Sequence, residues 1–157
     1  VGQRSARLLA REGARVRVAS RSLDRAANVC KRVHELVGSA TLEPHATSTP
    51  QETLAALAGA NVVIAAGAAG IELLPDQVWS DLQGLRVAID LNAVPPTGIA
   101  GVDPMDKAKE RNGTLCYGAI GVGGLKMKVH KAAVKKLFET NDQVLDAEEI
   151  YAIAKGL

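Results

Sequence analysis

The amino-acid sequence predicts an α/β domain in which helices cover both faces of a mainly parallel sheet. Short apolar segments of strand length alternate with segments whose apolar residues recur at helical spacing. Of the 157 residues, 47% are hydrophobic but only 3% are aromatic, so Ala, Val, Ile and Leu must build the core. That composition is usual for strands covered on both faces, and the length suits one domain.

The start of the chain matches the second half of a dinucleotide-binding βαβ unit of the Rossmann type. Gly2 begins a short helix, Gly13 ends it, and an alternating apolar segment over residues 16–18 forms the next strand. Gly2 corresponds to the last glycine of the fingerprint, where helical N–H groups face the pyrophosphate of the cofactor. We therefore expect Val1, Gly2 and Gln3 to bind the cofactor. The alternative is that Gly2 only starts an amphipathic helix.

The first strand of such a unit and the two fingerprint glycines that usually follow it are not in this sequence. We therefore expect an incomplete doubly wound sheet, with a gap between the strand that ends at Ser20 and the strand predicted at 61–66. Loss of a central strand leaves unpaired backbone groups and an uncovered apolar seam. The isolated chain should accordingly be unstable.

The tip of the strand that ends at Ser20 predicts which cofactor is preferred. In NAD-binding units an acidic residue at this tip binds the ribose 2′-hydroxyl. Here the tip is Ser20, Arg21 and Ser22, and the next carboxylate along the chain is Asp24. The guanidinium of Arg21 matches a phosphate, and the two hydroxyls can donate to it, so we expect NADP. The alternative is that Arg21 is a solvated loop residue and Ser22 only a helix N-cap.

The next elements are a helix over residues 22–37, which Gly38 ends, a strand over 40–47, and a helix that Pro50 begins. Ligands of open α/β sheets bind beyond the carboxyl ends of the strands. We therefore expect Thr47, at the end of its strand, to flank the adenine.

A continuous apolar segment at 61–66 predicts a buried central strand of the parallel sheet. Small residues follow it, and they leave room for a cofactor near the switch in strand order. We expect Ala66, Gly67 and Ala68 to pass close to the nicotinamide half. A tight turn without any ligand is the alternative.

A short helix is predicted at 75–82 and another strand at 86–91. That strand ends at Asn92, and the prolines at 95–96 stiffen the loop behind it. A residue held in this way at a strand end suits contact with a cofactor or substrate, so we assign Asn92 to the cofactor site.

The last third predicts a polar surface helix at 103–112, a short strand at 115–117, and a glycine-rich turn at 118–124 before a long helix. Lys126 falls on the apolar side of that helix. Burial of a charged lysine there costs free energy unless its side chain faces a cleft. Lys126 is therefore the best candidate for a substrate contact. The alternative is that the aliphatic stem of Lys126 packs on the protein and its ammonium reaches water. The opposite, solvated side carries Lys128, Lys131 and Lys135. An amphipathic helix at 146–155 closes the chain.

Charge and cysteine content restrict the class of protein. The net charge is +2 and almost no aromatic residues are available for stacking on bases, which argues against nucleic-acid binding. Cys30 and Cys116 are far apart and have no histidine cluster nearby, so neither a zinc site nor a disulfide framework is indicated. No apolar segment approaches the length of a membrane span. We expect a cytoplasmic protein with no metal and no membrane partner.

Four segments together carry a family resemblance: VGQRSA at 1–6, AGAAGIELLP at 66–75, DLNAVPPTGI at 90–99 and GAIGVGGLK at 118–126. They closely resemble the NADP-binding domain of bacterial methylene-tetrahydromethanopterin dehydrogenases. The resemblance covers essentially the whole chain. It departs at the start, where the separate N-terminal substrate domain of that family and the first strand are missing.

This resemblance implies hydride transfer from methylene-tetrahydromethanopterin to NADP⁺, and some members also accept methylene-tetrahydrofolate. The nitrogen lone pairs of the pterin stabilise the developing cation, so no general base is needed. Lys126 matches the cleft lysine of the family, the implied catalytic residue that orients the pterin. We also expect a homo-oligomer. Two alternatives stay open, an NADP-dependent oxidoreductase similar to shikimate dehydrogenases and a non-catalytic dinucleotide-binding module.

Overall fold

Helices and strands alternate along most of the chain in the computed structural model, which describes residues 1–38, 40–80 and 82–157. The helices are α1 (Gly2–Arg11), α2 (Leu23–Val37), α3 (Pro50–Leu57), α4 (Asp76–Trp79), α5 (Gly123–Leu137) and α6 (Ala147–Lys155). The strands are β1 (Val16–Ser20), β2 (Leu42–Ala46), β3 (Val62–Ala65), β4 (Val87–Asp90), β5 (Lys107–Arg111) and β6 (Thr114–Tyr117). The α/β fold class is confirmed.

The described strands form two sheets, where the sequence predicts one. β1 and β2 pair in parallel, and the other sheet has the order β3-β4-β6-β5. In that sheet β3, β4 and β6 are parallel, while β5 runs antiparallel to β6. Within the described residues β1 and β3 are not hydrogen-bonded to each other, and this is the place at which the sequence predicts a gap. The arrangement is consistent with a Rossmann-like fold.

The prediction of a buried central strand at 61–66 is wrong in its burial. β3 lies at an edge of its sheet, and Val62 is 50% exposed, although Ala65 at the other end of the strand is buried. Only β4 pairs with β3 among the described strands, so an apolar sequence alone does not ensure that both edges are covered.

The prediction of a polar helix at 103–112 is also wrong. β5 forms a hairpin with β6, and the pair Arg111 and Thr114 flanks a two-residue loop, Asn112 and Gly113. Both loop residues have positive φ, 49° and 74°. Asn-Gly is the preferred sequence for such a hairpin loop, because both residues tolerate left-handed backbone conformations. This local signal outweighs the helical spacing of the polar residues.

Helix boundaries agree with the capping signals of the sequence. The Oγ of Ser22 accepts a hydrogen bond from the N–H of Arg25 at 3.4 Å, and Gly38 ends α2 with a φ of 77°. α4 is shorter than the helix predicted at 75–82, and Asp81 of that prediction lies outside the described residues.

The main core lies on the four-stranded sheet, where Trp79 is 1% exposed and donates from Nε1 to the carbonyl of Ala100 at 2.9 Å. The buried apolar residues of this core are Leu57, Ala65, Leu74, Trp79, Leu85, Ala88, Ile99, Val102 and Cys116. The loops that follow β3 and β4 contribute Leu74 and Ile99, so the core holds together the carboxyl ends of two neighbouring strands.

Candidate functional site

The first group of predicted cofactor residues meets at the carboxyl ends of β1 and β2. The N–H of Thr47 donates to the carbonyl of Ser20 at 2.9 Å, and the hydroxyl of Ser48 donates to the carbonyl of Arg21 at 2.6 Å. The N–H of Ser22 donates to the hydroxyl of Ser20 at 3.3 Å. The structure thus brings residues 20–22 and Thr47 together in one small cluster, which we call the β1 tip.

Arg21 is the exposed cation of the β1 tip. Its backbone carbonyl is held by Ser48, but its guanidinium makes no hydrogen bond or ion pair within residues 1–38, 40–80 and 82–157. An arginine whose backbone is fixed and whose guanidinium N–H groups have no partner can bind a phosphate with little rearrangement. Ser22 does cap α2, as one alternative had it, and that hydrogen bond leaves its hydroxyl proton free to donate.

The second group lies where α1 begins. A Cβ built on Gly2 would lie 3.4 Å from the Cβ of Ala66, so the first turn of α1 packs against the residue that follows β3. No side chain of the described chain caps α1, and its first turn holds no acidic residue. The first N–H groups of a helix have no intrahelical partner, so those of Gly2 and Gln3 give this end a partial positive charge. Val1 is the exposed N-cap residue.

In the turn after β3, Gly67 and Ala68 are both exposed, and a Cβ built on Gly67 would lie 2.7 Å from the side chain of Leu73. This turn lies beside the loop after β4, because the N–H groups of Leu73 and Leu74 donate to the carbonyl of Gly98 at 2.8 and 3.0 Å. The parallel strands β3 and β4 therefore present their carboxyl ends side by side. This is the edge at which ligands of open α/β sheets bind.

Asn92 lies at this edge, but its side chain forms its hydrogen bonds within its own loop. It is buried, its Oδ1 accepts from the N–H of Val94 at 3.0 Å, and its Nδ2 donates to the carbonyl of Pro96 at 3.4 Å. Asp90, 1% exposed, accepts from the N–H groups of Asn92 at 2.9 Å and Ile99 at 2.7 Å. Asp90 is a buried residue that holds this loop through its hydrogen bonds. The contact of Asn92 with a cofactor stays a prediction.

Lys126 lies in the first turns of α5, and its side chain is exposed. The face to which the sequence assigns it is covered further along, since Val129 is half-buried and Ala133 is buried. The exposure of Lys126 agrees with the alternative in which its stem carries the ammonium to water. Its exposure does not distinguish it from the lysines of the solvated side, Lys128, Lys131 and Lys135. The role of Lys126 toward a substrate stays a prediction.

The glycines of the turn at 118–124 have two kinds of surroundings, which the sequence does not distinguish. A Cβ on Gly118 would collide with the backbone of Asp103, and one on Gly121 with the backbone of Asp106, so both glycines allow close packing of two loops. Gly123 and Gly124 have open space around them in the described structure. Close packing therefore explains Gly118 and Gly121 but not Gly123 and Gly124.

Sequence reasoning missed a set of ion pairs between α1 and α6. They are Arg4 with Asp146 (2.9 Å), Arg7 with Asp146 (3.6 Å) and with Glu148, Arg11 with Glu148 (3.6 Å), and Glu12 with Lys155 (3.4 Å). The signal was present, because the arginines recur at i, i+3 and i+7 and the last helix begins with an acidic cluster. The sequence does not show that these two faces meet.

The titratable groups with shifted pKa values are not among the predicted site residues. Burial raises the pKa of the Cys30 and Cys116 thiols, which makes both poor nucleophiles. The hydrogen bonds from Arg111 lower the pKa of Asp106, with Nε to Oδ2 at 2.8 Å and Nη2 to Oδ1 at 2.9 Å. No group of three or more potential metal-ligating side chains is close enough to hold a metal among the described residues.

The parallel strands and the helices between them define an α/β protein consistent with a Rossmann-like fold. No protein-family model matches the sequence. No helix in the described parts of the chain has the length and apolar character that a membrane span needs.

Two curated proteins of Methylorubrum extorquens are similar to this chain. It is 44% identical over 146 residues to the bifunctional protein MdtA, a match that covers 93% of the chain and 50% of the relative. It is 33% identical over 108 residues to an NAD(P)-dependent methylenetetrahydromethanopterin dehydrogenase, with 67% of the chain and 36% of the relative covered. The chain thus spans half or less of the length of these relatives.

Proposed function

We propose that this chain is the NADP-binding part of an oxidoreductase that oxidises methylene-tetrahydromethanopterin. Turnover of methylene-tetrahydrofolate by the same enzyme is part of this proposal. The observation that carries it is the similarity to two proteins, one of which is named a methylenetetrahydromethanopterin dehydrogenase. The geometry supports it, because the residues predicted to bind the cofactor gather at the carboxyl ends of parallel strands.

The β1 tip fits the 2′-phosphate of NADP. Arg21 would pair with the phosphate, the hydroxyls of Ser20 and Ser22 would donate to it, and Thr47 would border the adenine. The support is the unused guanidinium of Arg21 within the described structure and the hydrogen bond that holds Thr47 to Ser20. A carboxylate at this tip would instead favour the free ribose hydroxyl of NAD.

The start of α1 fits the pyrophosphate. The N–H groups of Gly2 and Gln3 have no helical partner, and a negative group placed there is stabilised by the helix dipole. Ala66, Gly67 and Ala68 would border the nicotinamide half, since Gly2 packs against Ala66 and the following turn is exposed. Asn92 would keep the neighbouring loop in place beside them.

In the proposed reaction a C–H bond of the methylene group breaks, and its hydrogen and both electrons pass to NADP⁺, giving the methenyl cation and NADPH. Orientation of the two reactants therefore matters more than proton transfer. We assign that orientation on the pterin side to Lys126, whose exposed ammonium is available to a substrate in front of α5. No residue of this chain needs to act as a base.

The test is a dehydrogenase assay with the protein expressed at its natural length. Methylene-tetrahydromethanopterin and NADP⁺ should give NADPH, which is followed by absorbance, and calorimetric titration should show tighter binding of NADP than of NAD. Cofactor binding without turnover of any pterin would favour a non-catalytic module. Oxidation of shikimate would favour the other class of oxidoreductase. A homo-oligomeric state and a cytoplasmic location are further parts of the proposal, tested by sedimentation and by cell fractionation.

A further inference from the structure

The ion pairs between α1 and α6 form a ladder along two helices that run in the same direction. Arg4, near the start of α1, pairs with Asp146, which precedes α6, and Glu12, just past the end of α1, pairs with Lys155 at the end of α6. A ladder with contacts at both ends opposes sliding and rotation of one helix against the other. α6 also packs against α5, so it connects the two helices that carry the proposed cofactor and substrate contacts.

The most sheltered step of this ladder is the pair of Arg7 and Glu148, whose side chains are 18% and 29% exposed. The other pairs are more open to water, and exposed pairs contribute little because solvent and salt screen them. Arg7 lies five residues beyond Gly2, about 7.5 Å along the helix axis at the α-helical rise. A shift of Arg7 would therefore move the helix start that packs against Ala66.

We infer that Glu148 is a positioning residue for the cofactor, which it serves through Arg7 by holding the first turn of α1 against the end of β3. The inference rests on the proposed function, in which this turn binds the pyrophosphate. Fixed N–H groups bind an anion well only where their direction is maintained.

The charge of Glu148 and its position predict opposite effects on cofactor binding. A carboxylate near a bound polyanion repels it, so its removal should strengthen NADP binding if charge alone mattered. If Glu148 holds α1 in place, its removal should weaken NADP binding. The sign of the change in Kd therefore separates the two explanations.

The experiment compares Glu148→Gln and Glu148→Asp with Glu139→Gln, a matched control that removes an exposed charge whose carboxylate has no hydrogen bond or ion pair with α1 within the described structure. We expect Glu148→Gln to raise the Kd for NADP roughly three- to tenfold, as for coupled contacting residues, with kcat at saturating NADP near that of the wild type. Glu148→Asp keeps the charge and shortens its reach, so it should also weaken binding. The control should bind like the wild type.

A double-mutant cycle tests whether Glu148 acts through Arg7. In an Arg7→Met background, Glu148→Gln should have little further effect on the Kd for NADP. A merely structural role would lower the Tm of Glu148→Gln and leave the Kd of the remaining folded protein unchanged.

Wild-type or tighter NADP binding in both Glu148 variants overturns the inference, and so does a full additional loss in the Arg7→Met background. A wild-type protein that does not bind NADP would instead refute the proposed function. These failures are distinguishable, because the first leaves wild-type binding and its dependence on Arg21 intact.

Discussion

Replacement of Arg21 by alanine tests the proposed cofactor preference most directly. A charge-assisted hydrogen bond to a phosphate contributes about 1.5 to 3 kcal/mol, which corresponds to roughly one to two factors of ten in Kd. Arg21 is exposed, so water screens the interaction and the lower end of that range applies. We expect the Kd for NADP to rise about tenfold, while the Kd for NAD, which lacks the phosphate, stays within about twofold.

Calorimetric titration of both cofactors at two salt concentrations measures this effect. The wild-type preference for NADP should shrink as salt is raised, because an exposed phosphate contact is screened. Arg32→Ala is the matched control, since Arg32 is an exposed arginine further along α2 and away from the β1 tip. Equal losses for NADP and NAD in Arg21→Ala, or an equal loss in the control, would refute the assignment.

Three further outcomes are expected. Lys126→Ala should lower kcat/KM for the pterin about tenfold or more and leave NADP affinity nearly unchanged. The control Lys128→Ala should do little. Pterin kinetics equal to the wild type in Lys126→Ala would exclude the role of Lys126. Asp106→Asn should lower the free energy of unfolding by about 1 to 3 kcal/mol, because Asp106 loses its charged pair with the partly exposed Arg111. The pKa of Asp106 is depressed in the folded state. The difference in unfolding free energy between the wild type and Asp106→Asn should therefore be present above pH 3.8, the ordinary pKa, and disappear as the pH falls through the folded-state pKa. A pH-independent difference in denaturant titrations would contradict this explanation. The isolated chain should unfold readily or associate through the unpaired edges of β1 and β3, and a monomeric, cooperatively folded chain in sedimentation and thermal scans would contradict that.

The elements that could be predicted are those whose signals are local. Ser22 and Gly38 bound α2 because a hydroxyl satisfies an end N–H group and a glycine tolerates a positive φ, whatever the rest of the fold does. The hairpin loop at Asn112 and Gly113 has an equally local signal, because Asn and Gly both tolerate positive φ. The prediction of a helix at 103–112 did not use that signal.

The features that could not be predicted depend on which surfaces meet. The arginines of α1 and the acids before and within α6 are both visible in the sequence, yet Arg7 and Glu148 are 141 positions apart along the chain. The burial of a residue also depends on which surfaces meet. The apolar segment of β3 indicates a strand, but the exposure of Val62 depends on what pairs with the strand.

The glycine-rich turn shows why a motif alone does not define a site. The glycines at 118, 121, 123 and 124 lie in one glycine-rich segment of the sequence. At 118 and 121 the backbone of residues 103–106 leaves no space for a Cβ, so glycine would be needed at both positions even in a protein without any ligand. Only 123 and 124 remain open, at the start of the helix that carries Lys126. A functional role for this turn therefore depends on its last two glycines, and substitutions at those two positions separate ligand binding from loop packing.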